Sequence, residues 1–294
     1  MRKPRRAPAP VREAAPIAVS VGAATDVGLR RQSNEDAYLA QGSLYLVADG
    51  MGGHVAGEIA SATVISAFTD LSLRPSVTLD RLRETFADAV ARVAALPVGA
   101  GAGAGTTLTG VAIGSLDQNA YWIVLNLGDS RTYRLSSRVL EQISVDHSVV
   151  QELVDSGELT AAQAATNAQR NIVTRSIGAG SRSEPDYWFI PAEPGDRILV
   201  CSDGLTGELS DEHIRSILNA EPEPQAAAAR LVREALQRGG RDNVTVVVVD
   251  ALSILGDLEG DETIPRHLTA VADTPPDFDD TIPRDRLTDG VNHL

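Results

Sequence analysis

Lysine is almost missing from this chain. Of its 26 basic residues only Lys3 is a lysine, and it lies at the extreme N-terminus. The body of the chain therefore holds no Gly-Lys-[Ser/Thr] phosphate loop, no kinase-type lysine and no Schiff-base lysine. Cysteine is equally scarce. Cys201 alone cannot form an intramolecular disulfide, which fits a reducing compartment. As the nucleophile of a phosphate-binding loop it would need an arginine six positions on, where Gly207 stands. It ends the apolar stretch Ile198-Leu199-Val200 and reads as a buried packing residue. Aromatic residues make up 4% of the chain, so a core drawn from its 43% hydrophobic content is mostly Val, Leu, Ile and Ala. No run of ~18 apolar residues occurs, so no transmembrane helix is expected. The opening Met1-Arg2-Lys3-Pro4-Arg5-Arg6 and the Pro-broken segment after it read as a basic arm, not a signal peptide. A soluble, cytoplasmic protein is the expectation. The net charge of −14 argues against a basic nucleic-acid surface.

What the chain has is acid in set places. Asp36 closes Ser33-Asn34-Glu35-Asp36, and Asp49 sits in Val47-Ala48-Asp49-Gly50-Met51-Gly52-Gly53-His54. Asp129 sits in Leu127-Gly128-Asp129-Ser130-Arg131, Asp203 in Cys201-Ser202-Asp203-Gly204-Leu205, and Asp242 in Gly240-Arg241-Asp242-Asn243-Val244. Asp49, Asp129 and Asp203 follow apolar runs, which places them at strand ends. Carboxylates gathered there are oxygen ligands for hard divalent cations such as Mg²⁺ and Mn²⁺.

Around these motifs the pattern reads as alternating sheet and helix. Residues 1–16 are Pro/Ala/Arg-rich and expected to be disordered. A single domain follows over 17–252. Ser43 to Ala48 reads as a buried strand, and Ala56 to Leu71 and Leu79 to Leu96 as adjacent helices. Gly99 to Gly105 alternates Gly and Ala and reads as a connector, because no lysine or helix follows it. Thr107–Ile113, Tyr121–Leu127, Thr132–Leu135 and Val139–Ile143 read as consecutive antiparallel strands. Ile198–Cys201 and Val244–Val249 are β-branched strands, and Asp211–Leu218 and Pro224–Leu236 helices.

Further short motifs lie in order between the acidic ones: Asp26-Val27-Gly28 with Arg31, Gly57-Glu58, Gly105-Thr106-Thr107, Asp146-His147-Ser148, Gln169-Arg170-Asn171 and Gly195-Asp196-Arg197. Together they resemble one family, the metal-dependent serine/threonine protein phosphatases of the 2C type in their bacterial form, over roughly Ala18 to Asp250. The resemblance implies an α+β fold, a four-layer α/β/β/α sandwich of two antiparallel sheets flanked by helix pairs, with a dinuclear metal centre. It implies two tightly bound Mn²⁺ or Mg²⁺ ions and a third, weaker one. Such ions activate a water and neutralise the phosphoryl oxygens of a phosphomonoester. By the same resemblance Asp49 bridges the metals, Gly50 offers its carbonyl, and Asp203 and Asp242 complete the second ion. Asp129 with Asp203 holds the third. Glu35 and Asp36 act from the outer shell. Arg31, three residues before Asn34, clamps phosphate, with Arg30 as the neighbouring alternative. A lone Asp-Gly is ordinarily a turn, but here such motifs coincide in family order. Where eukaryotic members carry a histidine after Asp-Gly, this chain has Met51, so no leaving-group acid is assigned. His147 reads as structural. The region 146–185 corresponds to the mobile flap of bacterial members; Thr166-Asn167-Ala168 stands where relatives often have His-Pro.

Residues 253–294 form an acidic tail, expected to be disordered, in which a motif occurs twice: Asp261-Glu262-Thr263-Ile264-Pro265-Arg266 and Asp279-Asp280-Thr281-Ile282-Pro283-Arg284. Thr263 and Thr281 are candidate phosphorylation sites, resembling those of bacterial Ser/Thr kinases and, once phosphorylated, ligands of forkhead-associated domains. The leading functional expectation is a phosphatase of phosphoserine and phosphothreonine proteins that opposes such a kinase. The alternatives are a catalytically silent scaffold, or a phosphatase of small phosphoesters on the same fold.

Overall fold

The computed structural model describes residues 15–52, 55–96, 105–116, 119–164, 166–178 and 184–255. The chain begins with β1 (Ile17–Asp26), β2 (Ala37–Gln41), β3 (Leu44–Ala48) and the short β4 (Gly50–Met51). The helices α1 (Val55–Ser72) and α2 (Leu79–Ala94) follow, then β5 (Gly105–Thr106), β6 (Leu108–Leu116), β7 (Asn119–Leu127), β8 (Arg131–Ser136) and β9 (Val139–Gln142). After α3 (Val149–Asp155) and α4 (Ala161–Ala164) come β10 (Ile177–Gly178), β11 (Asp186–Pro191) and β12 (Arg197–Cys201). The chain then runs through α5 (Asp203–Thr206), α6 (Asp211–Ala220), α7 (Pro224–Arg238) and β13 (Val244–Ile254).

One five-stranded sheet has the order β1-β13-β12-β8-β9 and a second β11-β7-β6-β3-β2, with a small third sheet β10-β5-β4, all antiparallel. Three apolar layers separate four layers of structure. Tyr45, Val47, Val111, Trp122, Val200 and Val247 fill the space between the sheets. Leu44, Leu46 and Ala48, the alternate residues of β3, face Val64, Phe68, Leu82 and Phe86 of α1 and α2. Leu199, Cys201, Val246 and Val248 face Ile214, Leu231 and Val232 of α6 and α7. Both faces of the central strands are thus buried, which is why Val244–Val249 is apolar without alternation. Helices α2, α6 and α7 each turn one apolar stripe inward; in α2 this is Leu82, Phe86, Ala89 and Val93. Thr78 caps α2 by accepting from Arg81 N–H, and Ser210 caps α6 by accepting from His213 N–H.

The four strands expected in one antiparallel run between residues 107 and 143 divide differently. β6 and β7 pair in one sheet, and β8 and β9 in the other. The chain changes sheets at Gly128-Asp129-Ser130, where Gly128 takes φ +114°. The helix expected to reach Leu96 ends at Ala94. β13 continues to Ile254, and Leu255 N–H donates to Pro16 O at 2.8 Å, so the β1 ladder extends past residue 252. Most of residues 1–16, all after 255, His54 and most of the Gly/Ala connector lie outside the described residues, as do Thr263 and Thr281.

Candidate functional site

The antiparallel register brings one set of strand ends together. Asp26 of β1 pairs with Val244, Cys201 of β12 with both Val246 and Arg131, and Ala48 of β3 with Ala37. Asp36, Asp49, Asp129, Asp203 and Asp242 sit on the segments just outside those pairs, at one end of the sandwich. Sequence positions more than 200 residues apart thereby share a site.

Asp49 is held through its backbone. Its N–H donates to Thr107 Oγ1 at 3.0 Å, and its C=O accepts from Thr107 N–H and Thr106 Oγ1, both at 2.9 Å. The residue's backbone is gripped from both sides, so its carboxylate direction is fixed by the β4–β5 pairing. Burial drives the Asp49 carboxyl far above the usual carboxylate range, and the charges of Asp36, Asp203, Asp129 and Asp242 push it further. Asp203 is raised by the same burial and by Asp242, with a hydrogen bond to the Asp49 carboxyl opposing. Burial pushes Asp36 up to about 7, against the hydroxyls of Thr245 and Ser202. Asp129 is pushed up to about 8 by burial, Asp203 and Asp146. Carboxylates crowded in this way hold protons at neutral pH unless cations replace them.

The donor set fits divalent ions. Asp36 Oδ2 accepts from Ser202 Oγ at 2.8 Å, while its buried Oδ1 has no hydrogen-bond partner. Among the described residues no three His, Cys, Asp or Glu side chains stand in a closed metal-binding arrangement. Arg31 Nη2 lies 2.7 Å from Asp242 Oδ2. Magnesium-like ions take only one or two carboxylates and complete their shell with water and carbonyl oxygens. Asp49, Asp203, Asp242 and the Gly50 carbonyl meet that need.

The supporting residues explain the glycines. A Cβ on Gly50 would lie 2.4 Å from Gly57 O and 2.5 Å from Glu35 O. A Cβ on Gly57 would lie 2.5 Å from Glu35 Oε2. Gly50 is therefore required by the packing of α1 and the Glu35 loop, in addition to any backbone approach to an ion. Gly28, at φ +79°, and Gly204 close on the backbone that carries Asp242: their Cβ atoms would meet Asp242 O at 2.1 Å and Asn243 O at 1.9 Å.

Sequence reasoning quoted Asn243 but gave it no task. Its Oδ1 accepts from Glu35 N–H at 2.8 Å, and its Nδ2 donates to Val27 O and Ser33 O at 2.9 Å each. It staples the loop bearing Arg31 and Glu35 to the start of β13. Ser61, also unread, donates from its hydroxyl to Glu35 O at 2.6 Å. Arg31 is half exposed and reaches the cluster in the register chosen from its spacing to Asn34. His147 is buried and structural: its Nδ1 accepts from Gly128 N–H at 3.1 Å and its Nε2 meets Asp186 Oδ2 at 3.0 Å. The Cys201 thiol is fully buried, and burial raises its pKa, so it is no nucleophile.

A cleft of about 670 Å³ opens over the cluster. Asp129, Asp203 and Asp242 line its floor, and Arg170, in the segment after α4, stands on its wall with Arg241.

The profile of the family described as Protein phosphatase 2C matches residues 29–250, which includes every carboxylate of this cluster. The chain belongs to the protein phosphatase 2C family. It is 40% identical over 243 residues to the serine/threonine protein phosphatase PstP of Mycobacterium tuberculosis, covering 80% of this chain and 46% of that protein. The chain thus spans about half the length of these mycobacterial relatives. It is 37% identical over 240 residues to the protein phosphatase PhpP of Streptococcus pneumoniae, covering 76% of this chain and 94% of that one. Among solved structures, the Mycobacterium tuberculosis phosphatase PstP/Ppp matches with a TM-score of 0.75 and 39% identity, over 80% of this chain and 99% of that chain. The catalytic domain of PstP in complex with two manganese ions matches with a TM-score of 0.73 and 38% identity, over 80% and 99% of the two chains. This 2C-family chain therefore has the four-layer sandwich expected from its motifs.

Proposed function

We propose that this chain is a metal-dependent protein serine/threonine phosphatase that hydrolyses phosphoserine and phosphothreonine. The observation that carries the reading is the convergence of Asp36, Asp49, Asp129, Asp203 and Asp242 in one mutually repelling cluster, with Asp129, Asp203 and Asp242 lining an open cleft. Two Mn²⁺ or Mg²⁺ ions held there would supply an activated water and neutralise the phosphoryl oxygens. The activities for which these relatives are named, and the two manganese ions of the PstP structure, support this choice of chemistry.

The residues then divide the work. Asp49, which interacts electrostatically with all four other aspartates, would hold the ions together with the Gly50 carbonyl. Asp203 and Asp242 would help hold them. Asp129, electrostatically tied to Asp203, would help hold a third and weaker ion. Glu35, fixed through its backbone by Asn243 and Ser61, orients water, and Asp36 supports the cluster from the Ser202 side. The Arg31 guanidinium, exposed on one side and anchored on Asp242, is placed to clamp phosphoryl oxygens in a bidentate fork. The residues from Ile17 to the end of β13 act as one catalytic domain, with Asp146, Gln151, Arg170 and Asn171 of the expected flap lining the cleft.

No helix among the described residues is long and apolar enough to cross a membrane. A cytoplasmic site of action, opposite a bacterial Ser/Thr kinase, is part of the proposal. The duplicated tail motif extends it. Phosphate on Thr263 or Thr281 would add about −1.5 to −2 charge and make each segment a ligand for an arginine-lined forkhead-associated domain. Two such sites on one tail permit bivalent capture near the kinase.

Turnover of a phosphothreonine peptide against a small phosphoester, with Mn²⁺ and with EDTA, tests the reading. Mn²⁺-dependent hydrolysis favouring the peptide is expected. No hydrolysis of either would leave the silent-scaffold alternative, and preference for the small ester would leave the other.

A further inference from the structure

Asp203 and Asp242 lie on separate segments, one opening α5 and the other leading into β13. Ser202 and Thr245 tie the two segments on one side: Ser202 N–H donates to Thr245 O and Thr245 N–H to Ser202 Oγ, each at 3.0 Å. Glu208 adds a second tie, from the residues after α5 to Arg241. It stands just after α5, and its carboxylate is almost wholly buried, with 4% side-chain exposure against 61% for its partner Arg241. Glu208 Oε1 accepts from the backbone N–H of Arg241 at 3.0 Å and from Arg241 Nε at 2.8 Å; Oε2 accepts from Nη2 at 3.0 Å. Arg241 Nη2 also donates to Gly207 O at 3.1 Å.

The segment so gripped has little freedom elsewhere. Gly239 and Gly240 take φ +151° and +50°, and a Cβ on Gly239 would lie 3.1 Å from both Glu208 oxygens. On its far side Leu29 N–H donates to Gly240 O at 2.7 Å. The carboxylate end of Asp242 accepts from its own neighbour, Asn243 N–H, at 2.8 Å. The peptide joining Gly240 to Arg241 is therefore clamped between Glu208, which accepts from its N–H, and the Gly28-Leu29 turn, which donates to its C=O.

We infer that Glu208 is a positioning residue for the metal centre: by holding the Arg241 backbone amide it sets the distance between the carboxylates of Asp242 and Asp203. The inference rests on the proposed metal-dependent reading. Its physical basis is that groups one bond removed from a ligand fix its orientation, and their loss typically costs roughly 10- to 100-fold in metal affinity. The backbone bond matters here more than the ion pair. The Arg241 side chain is mostly in water, where a pair of this kind contributes little. Two substitutions that both break the visible ion pair should therefore differ in effect.

The test is Mn²⁺ titration by calorimetry on the full chain, with thermal melts in EDTA beside it. Wild type is expected to bind two ions tightly. Glu208→Ala is expected to lose about 10-fold or more in affinity at one site. Arg241→Ala keeps the amide on Glu208 and is expected to lose less than about 3-fold. Glu208→Gln keeps an acceptor oxygen for the amide and should fall between them. With phosphopeptide, the Glu208 variants should recover kcat at saturating Mn²⁺ and keep KM near wild type. Glu208→Ala that lowers the melting temperature in EDTA but binds Mn²⁺ as wild type would overturn the inference; if Glu208→Ala does not fold, Glu208→Leu, which also removes the acceptor, is read in the same way. Equal losses from Arg241→Ala and Glu208→Ala would also overturn it. Absence of Mn²⁺ binding by wild type would instead defeat the metal-dependent reading itself.

Discussion

At the residue scale the account turns on which side chains face charge and which face packing. Arg31 and Asp242 are half and one-third exposed, so their contact is worth little to stability, and the arginine is free to serve phosphate. Arg31→Ala should lower kcat/KM by roughly 10- to 150-fold, since a charge-assisted contact of this kind is worth about 1.5–3 kcal/mol. Steady-state kinetics on a phosphopeptide, with Mn²⁺ affinity measured in parallel, checks this; an unchanged kcat/KM would remove Arg31 from the site. The acidic cluster makes a second prediction, about pH. Asp36 and Asp129 titrate in the folded protein near 7 and 8, above their ordinary values. The folded state then binds more protons than the unfolded state between about pH 4 and 8, so metal-free stability falls as pH rises through that range. The groups with lowered values, Asp186 at about 2 with Glu208 and Glu234, act in the opposite sense only below about pH 4.5. Melts in EDTA should show a lower Tm at pH 8 than at pH 5, and Mn²⁺ should remove much of the difference. A metal-free Tm that rises over this interval would contradict the assigned proton-holding. The acidic motifs were legible because ligand chemistry dictates residue identity. Asn243 was not, because an amide that staples three backbone groups looks in sequence like any loop asparagine.

At the element scale the site is a matter of close approach between backbones. The β4–β5 pair holds Asp49 while α1 presses its Gly57 against Gly50. Gly50→Ala would place a methyl against two backbone oxygens that cannot rotate away. Strain of this kind costs about 1–3 kcal/mol or more, and urea denaturation should show at least that loss. Asn243→Ala removes three hydrogen bonds and leaves Glu35 N–H buried. At about 1 kcal/mol each plus about 1–3 kcal/mol for the orphaned donor, a loss of about 4–6 kcal/mol is expected from the same measurement; a loss under 1 kcal/mol would mean the loop is held otherwise. Helices α2, α6 and α7 were readable because a single apolar stripe has an unmistakable period; α1 is apolar over more of its surface and has no such stripe. The partition of strands between sheets was not. β6 buries its first seven residues in a row, so alternation carries no sign of which sheet it joins. β2 and β11 lie at sheet edges with mixed burial and offered little signal at all.

At the scale of the whole molecule, two sheets packed face to face deliver strand ends to one rim, and the cleft lies over that rim. The four layers followed from the motif order; the cleft's depth and its clamp through Glu208 did not. The tail is a separate matter, joined where β13 ends. Deleting residues after Gly256 should leave turnover of a free phosphopeptide intact and weaken association with a kinase or a phosphothreonine reader. Mass spectrometry of the protein from kinase-active cells should find phosphate on Thr263 or Thr281; unmodified threonines would reduce the tail to a solubilising segment. The central claim is that the buried carboxylates are a catalytic metal centre with Asp49 at its heart. Its most direct test is kcat on a phosphothreonine peptide for metal-saturated Asp49→Asn, with circular dichroism showing that the fold is kept. The account predicts activity below a few per cent of wild type. A well-folded Asp49→Asn retaining more would contradict it.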